Sequence, residues 1–138
     1  MLATDWLDEG DSLYSQGKYD EAVQAYDEVI RLDPGCAKAW NNRGAALAGL
    51  GKYDEAIQAC DEAIRLDPKF ARPWNNKGFA LRNMGKCDEA IQAYNEAIRL
   101  DPEYKKAWNN KGNAFEALGK RAEANAAYAR AKELELRR

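Results

Sequence analysis

The side chains that most often perform catalysis are scarce in this chain. It contains no histidine, so neither a serine nor a cysteine nucleophile has an imidazole base to activate it. The only aliphatic hydroxyls belong to Thr4, Ser12 and Ser15. Carboxylates are plentiful, but many recur as Asp-Glu pairs at expected helix starts, at 20/21, 54/55 and 88/89. There they are expected to cap a helix and to interact with its dipole, so we predict no catalytic residues and no enzymatic activity.

Cofactor and metal sites are not expected either. Cys36, Cys60 and Cys87 are odd in number and lack the CxxC spacing of zinc sites. We expect all three to be reduced thiols in a reducing compartment. Neither GxxxxGK[ST] nor GxGxxG occurs, and no strand is expected to precede a phosphate-binding loop. The sequence therefore predicts no metal and no cofactor.

Charge and hydropathy narrow the choice of partners and location. The formal net charge is -2 and the pI is about 5.3, which supplies no overall basic field for nucleic acid. An RNA-binding helical repeat is accordingly disfavoured. No apolar run approaches the roughly 20 residues that span a bilayer, and residues 1–11 are acidic where a signal peptide would be basic and then apolar. We predict a cytoplasmic protein that binds neither nucleic acid nor membrane.

A period of 34 residues organises the whole chain. It places all four tryptophans in one register, at Trp6, Trp40, Trp74 and Trp108. Glycine recurs at position 15 of each unit, where a helix is expected to end because positive φ costs glycine little. The period predicts four helical hairpins in one domain of residues 1–138, with units 3–36, 37–70, 71–104 and 105–138.

A second glycine register lies in the middle of each first helix, at Gly10, Gly44, Gly78 and Gly112. Glycine costs roughly 1 kcal/mol there relative to alanine, so close helix packing must offset it. We expect the partners to be the alanines at position 20 of each unit, which are Ala22, Ala56, Ala90 and Ala124.

The combined pattern W-x3-G-x2-[LF], G-x-Y, A-x3-Y and L-D-P resembles that of the tetratricopeptide repeat (TPR) family, and it covers essentially the whole chain. The resemblance implies an all-α fold, a right-handed solenoid of four helix-turn-helix repeats with eight antiparallel helices. The main departure is position 7, where the family prefers leucine and this chain has Glu9, Arg43, Lys77 and Lys111. Long basic side chains can pack their stems while their charged ends reach water.

The resemblance also implies that the first helices line a concave groove for a peptide or partner protein. Carried over to this sequence, the predicted site is Lys38, Asn41, Arg72, Asn75, Phe79, Arg82, Asn83, Lys106, Asn109 and Asn113. The asparagines at position 5 would offer amides to an extended backbone, and the basic side chains favour an acidic or carboxylate-terminated ligand. The alternative is a solvated face that recurs because the repeats duplicated. The asparagines at position 6, Asn42, Asn76 and Asn110, are expected to brace adjacent repeats.

Some members of the family hold chaperone tails with a two-carboxylate clamp, which has a basic residue at position 5 and asparagine at position 9 of one repeat, asparagine at position 6 of the next, and basic residues at positions 2 and 6 of the third. From the first repeat only Asn42 and Arg72 match, since position 9 is Asp11, and from the second only Asn76 and Lys106 match. We therefore predict no chaperone clamp.

Polar residues mark both ends of the array. Asp5, Glu9 and Ser12 in the first helix, and Arg121, Asn125 and Lys132 in the last, replace residues that inner repeats would cover. We expect a complete array of four repeats with both flanks facing water. The alternative function is a self-associating scaffold, through helix ends, or an engineered repeat array with no dedicated ligand, as the near-identical segments KYDEAIQA and DEAIRLDP suggest.

Overall fold

The computed structural model describes residues 1–137 and contains eight α-helices, with no strand in that part of the chain. The helices are α1 (Ala3–Ser15), α2 (Tyr19–Leu32), α3 (Ala37–Gly49), α4 (Tyr53–Leu66), α5 (Arg72–Asn83), α6 (Cys87–Leu100), α7 (Lys105–Ala117) and α8 (Arg121–Leu136). Each helix packs against the next along the chain, and α1, α3, α5 and α7 also contact one another in order. The predicted all-α solenoid of hairpins is confirmed.

The turn inside each hairpin is fixed by the glycine at position 15. Gly17, Gly51, Gly85 and Gly119 have φ between 75° and 81°. In the first hairpin the Gly17 N–H donates to the Tyr14 carbonyl (3.0 Å) and the Lys18 N–H to the Leu13 carbonyl (2.9 Å). This is the Schellman arrangement, which satisfies carbonyls left free at a helix end.

The expected aspartate caps of the second helices are wrong. These helices begin at Tyr19, Tyr53 and Cys87, and the lysine before each occupies the N-cap without a side-chain hydrogen bond. Each Asp-Glu pair lies instead within the first turn. There the carboxylates still interact favourably with the positive end of the helix dipole.

In three hairpins the atoms nearest to the mid-helix glycine belong to an aromatic ring. A Cβ at Gly10, Gly78 or Gly112 would lie 2.5 Å from the ring of the tyrosine at position 24 of the same repeat. In the second hairpin, where this tyrosine is replaced by Cys60, a Cβ on Gly44 would meet the Cys60 Sγ at 2.8 Å and the Ala56 carbonyl oxygen at 3.2 Å. The predicted alanine is thus among the nearest contacts of Gly44. All four position-20 alanines are completely buried.

The basic residues at position 7 join successive hairpins. Arg43 Nε lies 2.6 Å from an oxygen of Asp27, and Lys77 Nζ lies 2.8 Å from an oxygen of Asp61. Lys111 Nζ instead lies 5.1 Å from the centre of the Trp108 ring. All three basic side chains are half-buried, as the packing of their stems predicted, and burial lowers the pKa of Lys111.

The two flanks of the stack carry the expected polar surface. Asp5, Glu9 and Ser12 are exposed, and so are the three polar residues singled out in α8. Across residues 1–137, no helix has the length and apolar character needed to cross a bilayer.

Candidate functional site

The inner side of the stack contains a cavity of about 560 Å³ that side chains from α1, α3, α5 and α7 line. Three of its lining residues are basic and occupy position 2 of successive repeats: Lys38, Arg72 and Lys106. Each lies in the first turn of its helix and is exposed. Within residues 1–137, no carboxylate lies at ion-pair distance from any of the three. The cavity therefore carries a local positive charge in a chain whose overall charge is negative.

One acidic residue, Asp11 of α1, closes the end of this cavity. Its Oδ1 accepts hydrogen bonds from the Tyr26 hydroxyl (2.6 Å) and from Asn42 Nδ2 (3.0 Å). Burial, together with the hydrogen bond to Asp11, raises the pKa of Tyr26 far above its usual range, so the hydroxyl stays a donor. Asp11 is thus held by protein groups on two sides.

The asparagines form a ladder between repeats. Asn76 Nδ2 donates to Asn41 Oδ1 (2.8 Å), and Asn110 Nδ2 donates to Asn75 Oδ1 (3.0 Å). With Asn42 bonded to Asp11 of the preceding repeat, the bracing role of the position-6 asparagines is confirmed.

Asn41 and Asn75 at position 5 have little surface left for a ligand, and their binding role stays a prediction. Both are only 3% exposed, and their oxygens accept hydrogen bonds from the next repeat. Position 5 has this role because its side chain lies between adjacent first helices. Asn75 still lines the cavity with its remaining surface, whereas Asn109 of the last repeat is half-buried.

A second, smaller cavity of about 270 Å³ adjoins the first. The two share five lining residues, which are Tyr14, Ala45, Asn75, Asn76 and Lys106. Small residues of α3 line it, together with Phe79 of α5 and the rings of Tyr14 and Tyr19. The two tyrosine rings lie 5.2 Å apart.

The remaining predicted site residues do not line either of these cavities. The Arg82 guanidinium lies 5.8 Å from the centre of the Phe79 ring, and Asn83 Nδ2 donates to the Phe79 carbonyl (2.8 Å). Asn113 Oδ1 accepts a hydrogen bond of 2.6 Å from the Tyr128 hydroxyl. These contacts are within or between neighbouring helices, so a binding role for the three stays a prediction.

The predicted site did not include eight residues that line the larger cavity, which are Asp11, Tyr14, Ser15, Tyr26, Asn42, Ala45, Asn76 and Tyr104. Asp11, Tyr14 and Ser15 occupy groove positions 9, 12 and 13 of the first repeat, whose residue types differ from those of the other repeats. Tyr104 precedes α7 and carried no positional signal, yet it lines the larger cavity, and burial raises the pKa of its hydroxyl.

Groups suited to metal binding are not found among residues 1–137, and the three cysteines are free. Cys60 is completely buried, and burial raises the pKa of its thiol to about 12. Because the thiolate is the reactive form, this thiol is an inert part of the core at neutral pH.

Comparison with known proteins agrees with the repeat pattern. Models described as tetratricopeptide repeat match residues 7–69, 59–92 and 105–137, and one described as TPR repeat matches residues 80–119. No curated protein sequence matches the chain.

Several solved structures share the fold. A crystal structure of MamA has a TM-score of 0.85 at 28% identity, covering 98% of this chain and 79% of that one. The first TPR of Spaghetti (RPAP3), bound to HSP90 peptide SRMEEVD, has a TM-score of 0.79 at 28% identity, covering 85% and 93%. TTC0263, a thermophilic TPR protein of Thermus thermophilus, has a TM-score of 0.89 at 22% identity, covering 96% and 74%, and supports the fold alone. The repeat matches across the chain show that it belongs to the tetratricopeptide repeat family.

Proposed function

We propose that the chain is a non-catalytic interaction module that binds an extended, acidic peptide segment of a partner protein in its inner groove. The coarser statement, that this fold serves as a protein–protein interaction scaffold, follows from the family. The observation that carries the finer proposal is the clustering of Lys38, Arg72 and Lys106 around one cavity. Like charges in a partly enclosed site repel one another and attract anions, so a carboxylate-rich ligand relieves the repulsion.

The spacing of the basic residues favours an extended ligand. One basic side chain comes from each of α3, α5 and α7, so the positive charge follows the direction in which the repeats stack. A peptide lying along that direction can place successive carboxylates near successive basic groups. The acidic peptide held by the structurally similar TPR of RPAP3 is consistent with this kind of ligand.

The proposal does not include the chaperone clamp. Asp11 occupies a position where that clamp requires asparagine, and the amide of Asn42 already donates to Asp11. A carboxylate of the ligand would be repelled by Asp11, so the acidic residues of the peptide are placed toward Arg72 and Lys106.

The experiment is a titration of the chain with the peptide Ac-EELEE-NH2, with Ac-KKLKK-NH2 as the opposite-charge control. We expect binding of the acidic peptide only, weakening as salt rises because the charges are screened. Arg72→Glu and Lys106→Glu should each weaken binding at least about tenfold, since each replaces an attraction by a repulsion. Lys69→Glu, which makes the same charge change at an exposed residue outside the cavity, should have little effect.

Failure of Ac-EELEE-NH2 to bind, or equal loss with Lys69→Glu and Arg72→Glu, would contradict the proposal. Sedimentation velocity on the same samples tests the alternative function. A chain that self-associates as its concentration rises and binds neither peptide is a structural scaffold.

A further inference from the structure

The hydroxyl of the tyrosine at position 24 has an acceptor in the first and fourth hairpins but not in the third. Tyr26 donates to Asp11 and Tyr128 donates to Asn113, each at 2.6 Å, and both acceptors stand at position 9. Tyr94 is completely buried, and its hydroxyl donates to no acceptor in the part of the chain described, although the Arg82 guanidinium lies close to its oxygen. The residue at position 9 of this hairpin is Phe79, which cannot accept a hydrogen bond. A buried hydroxyl without an acceptor is unfavourable for folding.

Phe79 is unfavourable for a second reason. Its ring is 37% exposed, so it presents apolar surface to water on the inner face of the stack. An asparagine at this position, as in the fourth hairpin, would remove both penalties. A residue that lowers the stability of the fold at an inner-face position is expected at a functional site.

The surroundings of Phe79 indicate what the ring does. It lines the smaller cavity together with Tyr14 and with Ala45, Ala48 and Gly49 of α3. Positions 9, 12 and 13 of the repeat carry these small residues in α3, whereas in α5 they carry Phe79, Arg82 and Asn83. The small side chains of α3 therefore leave space on the inner face. A Cβ on Gly49 would lie 2.8 Å from the Tyr19 ring, which shows that α3 is already closely packed there.

The volume and lining of this pocket select one kind of group. At about 270 Å³ it is smaller than the roughly 300–1,000 Å³ of sites that hold whole ligands, so it suits one side chain. The exposed rings of Phe79 and Tyr14, with the alanines and glycine of α3, favour an apolar group. The rest of the lining is polar, from Asn75, Asn76, Asn110 and Lys106. Lys106 lines both cavities, so a carboxylate beside that apolar group would meet a positive charge.

We propose that Phe79 determines specificity, and that the pocket lined by Phe79 and Tyr14 takes an apolar side chain flanked by acidic residues of the bound peptide. This inference rests on the proposed function, because it assumes an acidic peptide in the adjoining cavity. It adds the requirement that the peptide carry an apolar side chain as well as negative charge.

The test compares Ac-EELEE-NH2 with Ac-EESEE-NH2, which has the same charge and no apolar side chain. The first should bind the unaltered chain at least about tenfold more tightly, because burial of a leucine side chain gives that ratio or more. Phe79→Asn should reduce the difference to about twofold or less by weakening binding of the leucine peptide. Its melting temperature should rise by about 2 °C or more, because Tyr94 gains an acceptor and the exposed ring is removed.

Two further variants test whether the effect depends on this pocket. Tyr14→Ser changes another, exposed residue that lines the pocket and should reduce the same difference between peptides. Leu118→Asn removes a side chain of matching exposure (36%) outside both cavities and should alter neither affinity.

The outcomes separate the two proposals. Equal binding of both acidic peptides to the unaltered chain overturns the apolar pocket and leaves the acidic groove standing. A lower melting temperature for Phe79→Asn shows that the ring supports the fold and overturns its assignment to specificity. If neither acidic peptide binds, the proposed function fails and this inference fails with it.

Discussion

The first and third hairpins pack alike but differ where they face the groove. In both, a tyrosine of the second helix lies against a glycine of the first, with a Cβ on Gly10 or Gly78 placed 2.5 Å from the ring. In the first hairpin the Tyr26 hydroxyl is bonded to Asp11, whereas in the third the Tyr94 hydroxyl has no acceptor. The glycine–tyrosine contact is therefore common to the two hairpins, while the residue at position 9 distinguishes them.

The small residues of the second hairpin leave room for a pocket beside Phe79. Cys60 replaces the tyrosine and Ala45 stands at position 9, so this hairpin has no hydroxyl to satisfy and leaves space on the inner face. Phe79 of the next repeat lies at the side of that space. One small residue and one large one at the same position of neighbouring repeats thus produce a site that identical repeats would not contain.

The largest expected effect is that of alkaline pH on the free energy of unfolding, through the buried tyrosines of these hairpins. An unfolded tyrosine ionises near pH 10, whereas burial raises the pKa of Tyr94 to about 12, against a smaller opposing effect of the Arg82 charge. The stability contributed by a raised pKa is complete below about pH 10 and is lost as pH rises toward the folded value. Stability should therefore fall above pH 10 by about 1.4 kcal/mol per pH unit for each tyrosine kept protonated by the fold.

Urea denaturation between pH 8 and pH 12 measures this loss. Tyr94→Phe should make the curve less steep from pH 10 to 12, since it removes one such group. Tyr26→Phe should do so as well, because burial and Asp11 raise the pKa of that hydroxyl even further. A slope unchanged by Tyr94→Phe would mean that this hydroxyl ionises without unfolding the chain.

At neutral pH, Tyr26→Phe and Tyr94→Phe should have different effects on the free energy of unfolding. Tyr26→Phe removes a charge-assisted hydrogen bond and should lower the free energy of unfolding by about 1–2 kcal/mol. Tyr94→Phe removes a hydroxyl without an acceptor and should leave stability unchanged or raise it by up to about 1 kcal/mol. Urea denaturation of both variants measures the difference, and equal destabilisation would show that the two hydroxyls are satisfied alike.

The fold was largely predictable because its determinants are local and periodic. The 34-residue period placed the helix starts at Ala3, Ala37 and Lys105, and α5 begins one residue later than its unit, at Arg72. Positive φ at the position-15 glycines follows from the one backbone conformation that glycine tolerates better than other residues. The aspartate caps were mispredicted because a lysine, which has no acceptor, precedes each second helix by one residue.

The site was less predictable because it depends on contacts between repeats. Lys38, Arg72 and Lys106 were expected in the groove and do line one cavity. Asn41 was expected there too, but its side chain is enclosed between adjacent first helices. The lack of an acceptor for the Tyr94 hydroxyl was not predictable, because the 34-residue pattern does not show that the tyrosine at position 24 donates to the side chain at position 9.

Intermolecular nuclear Overhauser effects in the complex with Ac-EELEE-NH2 test the central claim most directly. Selective labelling of the peptide's leucine methyl groups makes their contacts with the chain observable. We predict contacts from these methyl groups to the ring protons of Phe79 and Tyr14. Contacts instead to Trp6 and Leu13, which line a separate cavity of about 410 Å³ formed by α1 and α2, would contradict the proposed pocket.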